Sequence, residues 1–428
     1  MKTLISFLAF FYSVHTFSQN NNNYEQKLDE YFLALTEIKN FNGNVIVAKN
    51  GAKVLDKTYN ITGENDSLKI NHNSKFIIAS VSKIFIRYGI LKLLEQGKIN
   101  LSDKITKFIP DFPNGNKISI EQLMDHKSGL PREIKDYEKY DHLKLDKIIE
   151  LAKRESLEFE PGTKTLYSNV GYFVLHYIID KVSNNGYWDF MQYEIIKKYK
   201  LNHTGEFNNT QSISDFAYGF STENGKIVPV SRNSINRFET GNYFSTIDDL
   251  YLFSQQLLTG KYIKKSLALK MFGEKGVLIQ AGGRPGYRAY YYQNITSKIT
   301  FIFVSNYTDI PFQEVTGDVI NILDDKPYEV PKKIYKNAIA LSPEVLKRYL
   351  GKFELEADKT QTFTVSLENE QLSITDSDGE KTKIYPESEF SFFDNPESKD
   401  SYNFINHDGK YNLVIISTGI TLKTIKIE

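Results

Sequence analysis

The sequence predicts an α+β fold followed by a small all-β domain, and three observations carry that prediction. Alternating apolar runs that suit strands lie near residues 41–60 and return between about Val277 and Asn306, so one sheet is built from both ends of a domain. Between them, to about residue 260, the pattern reads as helices joined by loops that carry Pro110, Pro113, Gly129, Pro131, Pro161 and Gly162. The last ninety or so residues are short alternating runs once more. At 428 residues the chain is long enough for two folded units.

Taken in order, the chain opens with MKTLISFLAFFYSVHTFSQ, one Lys before an apolar run of about a dozen residues, with Thr16 and Ser18 suited to cleavage before Gln19. Residues 1–18 are therefore expected to be a signal peptide, too short to span a bilayer, and the mature chain to be periplasmic or secreted with no stable membrane span. Tyr24 to Lys39 has apolar residues at helical spacing. FNGNVIVAKNGAKVLDKTYN alternates around Val45, Val47, Val54 and Leu55, with Asn50-Gly51 marking a hairpin. From Ser80 to about Gln96 the residues are apolar nearly all round, which predicts a deeply buried helix closed by Gly97.

Farther on, GYRAYYYQN and KITFIFVSN alternate about a short turn and predict an antiparallel pair. The charged, Pro-marked residues from Asp324 to Lys333 suggest a linker, set at 326–341, between a domain at 24–325 and one at 342–428. Ser342-Pro343-Glu344 reads as a helix start, Ser as cap and Pro at the first position. The runs TFTVSL, QLSI, SFF and NLVII, punctuated by Asp378-Gly379 and Asp408-Gly409, predict a small barrel.

Composition removes whole classes of function. Lys plus Arg and Asp plus Glu are 53 each, so nothing electrostatic favours nucleic acid or an anionic membrane surface. Cys is absent, which excludes disulfides, thiolate metal sites and a Cys nucleophile. The seven His form no HExxH pair and no His-x-His cluster, so no metal is expected.

Three motifs remain that can carry chemistry. Ser80-Val81-Ser82-Lys83 sets a hydroxyl and an amine on one face of a helix start. The apolar FIIA before it and the apolar helix after it hold that amine where charge is costly, which lowers a Lys pKa and makes it a usable base. At the helix N-terminus Ser80 also offers its backbone N–H to a reacting carbonyl. Tyr167-Ser168-Asn169 brings a phenol and an amide together before another apolar helix, and IQAGGRPGYRAYYY is a Gly-rich entry to a strand that lets a ligand approach backbone closely. Taken singly, each has a plainer reading: a solvated helix start, a phenol that satisfies a buried group, and a turn.

In this order and spacing the three motifs resemble those of class C β-lactamases and the related D,D-peptidases, D-aminopeptidases and esterases. The resemblance covers about residues 40–310 and is also carried by Phe41-Asn42-Gly43, LSDKITKFIPDFP, MDHKSGLP, FEPGTKTLYSN and YFSTIDDLYLF. It implies a β-lactamase/transpeptidase-like fold, an antiparallel sheet flanked by helices beside a helical subdomain, with the site between them. The trailing segment resembles the lipocalin-like domain often fused to such hydrolases. It further implies that Ser80 is acylated, that Lys83 takes its proton, and that Tyr167 relays a proton or activates water; which of Lys83 and Tyr167 is the principal base stays open. Asn169 would hydrogen-bond substrate and Lys83, and the N–H groups of Ser80 and Gly283 would form the oxyanion hole. No cofactor is implied.

The sequence departs from the family at the third motif, where a His or Lys is usual and Gln280-Ala281-Gly282 stands instead. Loss of a charge-assisted hydrogen bond there would weaken carboxylate-bearing substrates by ~1–3 kcal/mol. Uncharged esters or amides are thus expected to outrank penicillins and D-alanyl peptides, unless Arg284 or Arg288 supplies the cation. His126 is expected to be a structural loop residue, and Asp248 and Asp249 the cap of the helix that follows. The expected function is a secreted serine hydrolase acting through an acyl-enzyme on a small-molecule or peptide substrate; the alternative is a catalytically weak relative that binds a small molecule or cell-wall fragment.

Overall fold

Asn50 and Gly51 both have positive φ, 54° and 84°, the backbone that a tight two-residue hairpin loop demands. They join β1 (Gly43–Lys49) to β2 (Ala52–Tyr59), with a bulge between Val47 and Ala48. The computed structural model describes residues 23–63, 66–136, 143–207, 212–223, 225–231, 242–377, 379–417 and 420–428. The expected signal peptide and Asp378 lie outside them. The chain separates into two compact units, one running to Asp309 and one from Ile310 to Glu428. Among the described residues no helix is long and apolar enough to cross a membrane.

In the first unit a helix, α1 (23–37), precedes the hairpin. β3 (Phe76–Ile77) leads through a 3-10 turn, Ala79–Ser82, into α2 (Lys83–Glu95). α3 (Ile120–Met124), α4 (Leu145–Ala152), α5 (Asn169–Val182) and α6 (Tyr187–Met191) form the helical middle. Short strands β4 (Gly205–Glu206), β5 (Phe220–Glu223), β6 (Lys226–Pro229) and β7 (Tyr243–Ser245) lead to α7 (Ile247–Gln256) and α8 (Lys265–Ala268). The unit closes with β8 (Val277–Arg284), β9 (Tyr287–Asn294) and β10 (Ile299–Ser305).

The main sheet runs β2-β1-β10-β9-β8, all antiparallel, so the first and last strands of the unit meet at its centre as the sequence predicts. The two central strands are buried on both faces, not alternately. The reason is that both faces are covered. Phe32 of α1 packs on Phe41, Tyr59 and Phe301 on one side, while Ile46, Ile302 and Val304 join the core built by α2, α5 and α7 on the other. This is the β-lactamase/transpeptidase-like arrangement, in which β8 is left as an edge strand.

α2 differs from expectation at its start: the regular helix begins at Lys83, and Ser80 sits in the preceding 3-10 turn, entered through Ala79 at φ 45°. Gly97, with φ 70°, ends it as expected. The helix after β7 also differs. Thr246 is its N-cap, accepting from the Asp249 N–H, while the Asp249 carboxylate accepts from His203 N–H and Thr204 Oγ1 and Asp248 pairs with His72 and Lys53. A Thr two residues before Asp248 thus takes the cap, and the two acids are drawn to partners elsewhere.

In the second unit α9 (Phe312–Leu323) precedes an extended stretch, tied to the barrel by Lys336 N–H to Pro396 O and Ile339 N–H to Pro386 O, both 2.8 Å. α10 (Pro343–Leu346) then leads into eight strands. β11 (Gly351–Leu355), β12 (Asp358–Glu368), β13 (Gln371–Thr375), β14 (Lys381–Pro386), β15 (Ser391–Phe393), β16 (Ser401–His407), β17 (Lys410–Ser417) and β18 (Ile420–Lys426) form a closed barrel. Its interior is filled: the buried ring of Tyr349 stacks on Phe404 at 4.3 Å and meets Phe392 and Tyr411 edge-on.

Candidate active site

The turn after β3 is fixed from both ends. Ile78 N–H donates to Tyr243 O of β7, and Val81 N–H donates back to Ile78 O, both at 3.0 Å. A positive φ on Ala79 is strained for an L-residue, and it swings the Ser80 side chain out, half-buried, at the mouth of α2. In a 3-10 turn residues three apart eclipse, and the Lys83 side-chain nitrogen Nζ reaches Ser80 Oγ at 3.1 Å.

Lys83 is 7 % exposed. Burial lowers its pKa from the ordinary lysine value; Arg284 pushes the same way, and the phenol of Tyr167, followed by Glu133, opposes the shift. Nζ lies 5.1 Å from the centroid of the Tyr167 ring and 5.5 Å from that of Tyr172. An amine that burial favours uncharged, within hydrogen-bond distance of a hydroxyl, is able to take its proton.

Tyr167 reaches this pair from a loop held largely by one residue. His126, itself at φ 56°, accepts the Leu166 N–H on its backbone oxygen at 2.9 Å and the Ser168 N–H on Nδ1 at 3.1 Å. Its ring is sandwiched between Tyr167 at 4.5 Å and Tyr172 at 4.9 Å. Burial, reinforced by Lys83 and Arg87, holds its pKa down to about 4, so the imidazole is neutral, accepts through Nδ1 and carries its proton on Nε2. His126 is thus a loop residue, as expected, but one in direct contact with the phenol. Ser168 caps α5, accepting from Gly171 N–H and donating to Pro131 O.

The third motif arrives on the edge strand β8, where Gln280, Gly282 and Arg284 share one face. A Cβ at Gly282 would stand 2.4 Å from Ile78 O and 3.2 Å from Ser80 N, so the strand rests directly on the Ser80 turn and only glycine fits. Gly283 follows, paired with Arg288 of β9. Gln280 Nε2 donates to Ala281 O of its own strand. Of the two candidate cations, Arg288 Nη1 donates to the carbonyls of Arg284 and Tyr287, while Arg284 acts electrostatically on both Lys83 and Glu133.

The fold thus gathers Ser80, Lys83, Tyr167 and Gly282 at one place. Asn169 stands beside them at the start of α5, with its side-chain amide donating to Glu133 Oε1. Glu133 escaped the sequence reading. It follows Pro131-Arg132 in an irregular loop, where a carboxylate has no periodic or motif context to mark it. Away from this group, Asp56, His72 and Asp248 bring ligand atoms within 4.8 Å of one another, but Lys53 Nζ already lies 2.6 Å and 3.4 Å from the two carboxylates and supplies the cation.

The chain shares its family and its fold with known proteins. The Beta-lactamase family model matches residues 36–322. A penicillin-binding protein of Bacillus subtilis (strain 168) is 28 % identical over 420 residues, covering 87 % of this chain and 92 % of its own. Among solved structures, the octameric penicillin-binding protein homologue from Pyrococcus abyssi superposes with a TM-score of 0.60 at 19 % identity, over 94 % of this chain and 99 % of that one. D-amino acid amidase from Ochrobactrum anthropi SV3 does so with a TM-score of 0.59 at 19 % identity, over 70 % and 99 %. The chain is a member of the Beta-lactamase family, and with it a serine acyl-transfer hydrolase.

Proposed function

We propose that Ser80 is the nucleophile and that the protein hydrolyses an ester, amide or peptide through an acyl-enzyme formed on it. Ser80 Oγ attacks the carbonyl carbon as its proton passes to the uncharged Lys83 Nζ. Tyr167 hands a proton to the leaving group, and in the second half of the cycle water takes its place and is activated by the same pair. The backbone N–H groups of Ser80 and Gly283 receive the negative charge that develops on the carbonyl oxygen, a contribution of about 3–4 kcal/mol per donor in comparable sites. One observation carries this reading: the 3.1 Å contact between Ser80 Oγ and an amine whose charge burial disfavours.

The test is covalent labelling by a fluorophosphonate probe. Labelling of the wild type that vanishes in Ser80→Ala supports the reading, and an unlabelled wild type overturns it. The neutral Gln280 further favours carboxylate-free esters and amides over penicillins. Turnover of a chromogenic short-chain ester set against that of a chromogenic cephalosporin measures this, and a strong preference for the cephalosporin assigns the carboxylate to Arg284. The apolar leader at residues 1–18 favours work outside the cytoplasm, which fractionation of the producing cells checks.

A further inference from the structure

His176 is a buried histidine that the chemistry above leaves unused. It stands in the middle of α5, 2 % exposed, with its ring stacked on that of Tyr187 at 3.5 Å between centroids. Burial drives its pKa down to about 3, so the imidazole is neutral. Its Nδ1 is buried with no hydrogen-bond partner, a condition that few buried polar atoms of a folded protein keep. The same side chain lines a cavity of about 460 Å³, together with residues of α4, α6 and β4. Four carboxylates share that lining, those of Asp146, Asp180, Asp189 and Glu206, against one lysine, Lys144. Lys181 adds only long contacts, 3.4 Å to Asp146 and 3.8 Å to Asp180. The half-buried indole of Trp188 also lines the cavity, backed by Tyr187 edge-on at 5.2 Å and by Tyr243 at 4.5 Å.

A wall so composed selects its guest by charge and by shape. Among the described residues, these acids and His176 do not bring three ligand atoms within 4.8 Å of one another, so they do not converge on a single metal ion. Carboxylates dispersed about a cavity suit a cation whose charge is dispersed as well. A neutral imidazole accepts from an ammonium, and an indole face attracts one and takes the methylenes beside it. We propose that this cavity is a second ligand site, which takes an aliphatic diamine or polyamine. Its ammonium groups meet the carboxylates and His176, and its methylenes lie on Trp188. None of the lining residues takes part in the proton transfers at Ser80, so the site stands independently of the acyl-enzyme reading.

Trp188 is the single tryptophan of the chain, so tryptophan fluorescence reads this cavity directly. The whole chain is titrated with spermidine and with cadaverine, beside tetramethylammonium chloride, magnesium chloride, zinc chloride and sodium chloride at matched ionic strength. A saturable change is expected with both amines, at concentrations well below those at which tetramethylammonium acts. The double variant Asp189→Asn, Glu206→Gln removes two charges at unchanged shape and is expected to weaken spermidine about tenfold or more. His176→Phe keeps an aromatic ring without its nitrogens and should weaken spermidine several-fold. The proposal is overturned by a wild type that shows no saturable change, or by a change that sodium chloride reproduces. A tighter response to magnesium or zinc than to the amines also overturns it, as does undiminished spermidine binding in either variant. Circular dichroism checks that the variants fold; where one does not, the wild-type comparison of amines with salt and metals decides alone.

Discussion

The two ends of α2 each bury a lysine, and they do so to opposite effect. Lys92, near the C-terminal end and 6 % exposed, is surrounded by partners: Glu95 at 2.5 Å, Glu194 at 3.8 Å and the carbonyl of Tyr262 at 2.7 Å. Lys83, at the first turn, is as deeply buried, yet it faces a hydroxyl and two aromatic rings instead of a carboxylate. Burial is the same, so what separates a structural lysine from a chemical one is the company it keeps. Lys92 is in contact with carboxylates, while Lys83 touches neutral groups and is held by burial towards its free amine.

The largest test of that contrast is exchange of each lysine for Met. Lys83→Met is expected to lower kcat/KM about a hundred- to ten-thousand-fold while the melting temperature holds or rises, since a poorly compensated amine is removed. Lys92→Met should do the reverse, leaving Glu95 and Glu194 without their shared cation at a cost of about 3–5 kcal/mol in urea unfolding, with kcat per folded molecule within a few-fold of wild type. A fall in stability for Lys83→Met matching that for Lys92→Met would erase the distinction.

The pH profile sharpens it further. Proton acceptance needs the unprotonated amine, and burial lowers the pKa of Lys83, so kcat/KM climbs with rising pH through a midpoint below the ordinary lysine range. Lys83→Arg should abolish the limb, because a guanidinium stays charged throughout.

Smaller effects probe the frame around Lys83. Gly282→Ala places a methyl against the Ile78 carbonyl, and overpacking of this kind costs about 1–3 kcal/mol. Because the strand rests on the Ser80 turn, the loss should appear in kcat more than in unfolding. His126→Asn is the mildest change. Asn tolerates the positive φ and retains an acceptor for Ser168 N–H but loses the ring sandwich, for about 0.5–1.5 kcal/mol, read as a lower melting temperature and a few-fold fall in kcat.

Much of this was legible in the residue pattern because turns and close approaches have strict residue requirements. Asn50-Gly51 admits little but a hairpin, and glycine at 282 announced that backbone had to come near. The remainder depended on partners far apart in sequence. Apolar surroundings alone do not tell Lys83 from Lys92, since both stand among apolar residues of one helix and Glu194 arrives from another segment; only Ser80, three residues before, marks Lys83. The left-handed Ala79 carries no sequence mark, because alanine is not selected for that conformation. Glu133 sits in an irregular loop, and the cap before α7 was missed because Asp248 and Asp249 look the better candidates until their other partners are seen. The double-sided burial of β1 needed α1 and the helical core to be placed first.

The packed interior of the terminal barrel has its own consequence. Tyr349 and its neighbouring rings pack together in the core of the barrel, so a guest of the kind hollow barrels carry would have to displace them. Closure of the ladder from β11 to β18 pairs the first strand of the barrel with the last, so among the described residues neither stands as an open end of the sheet.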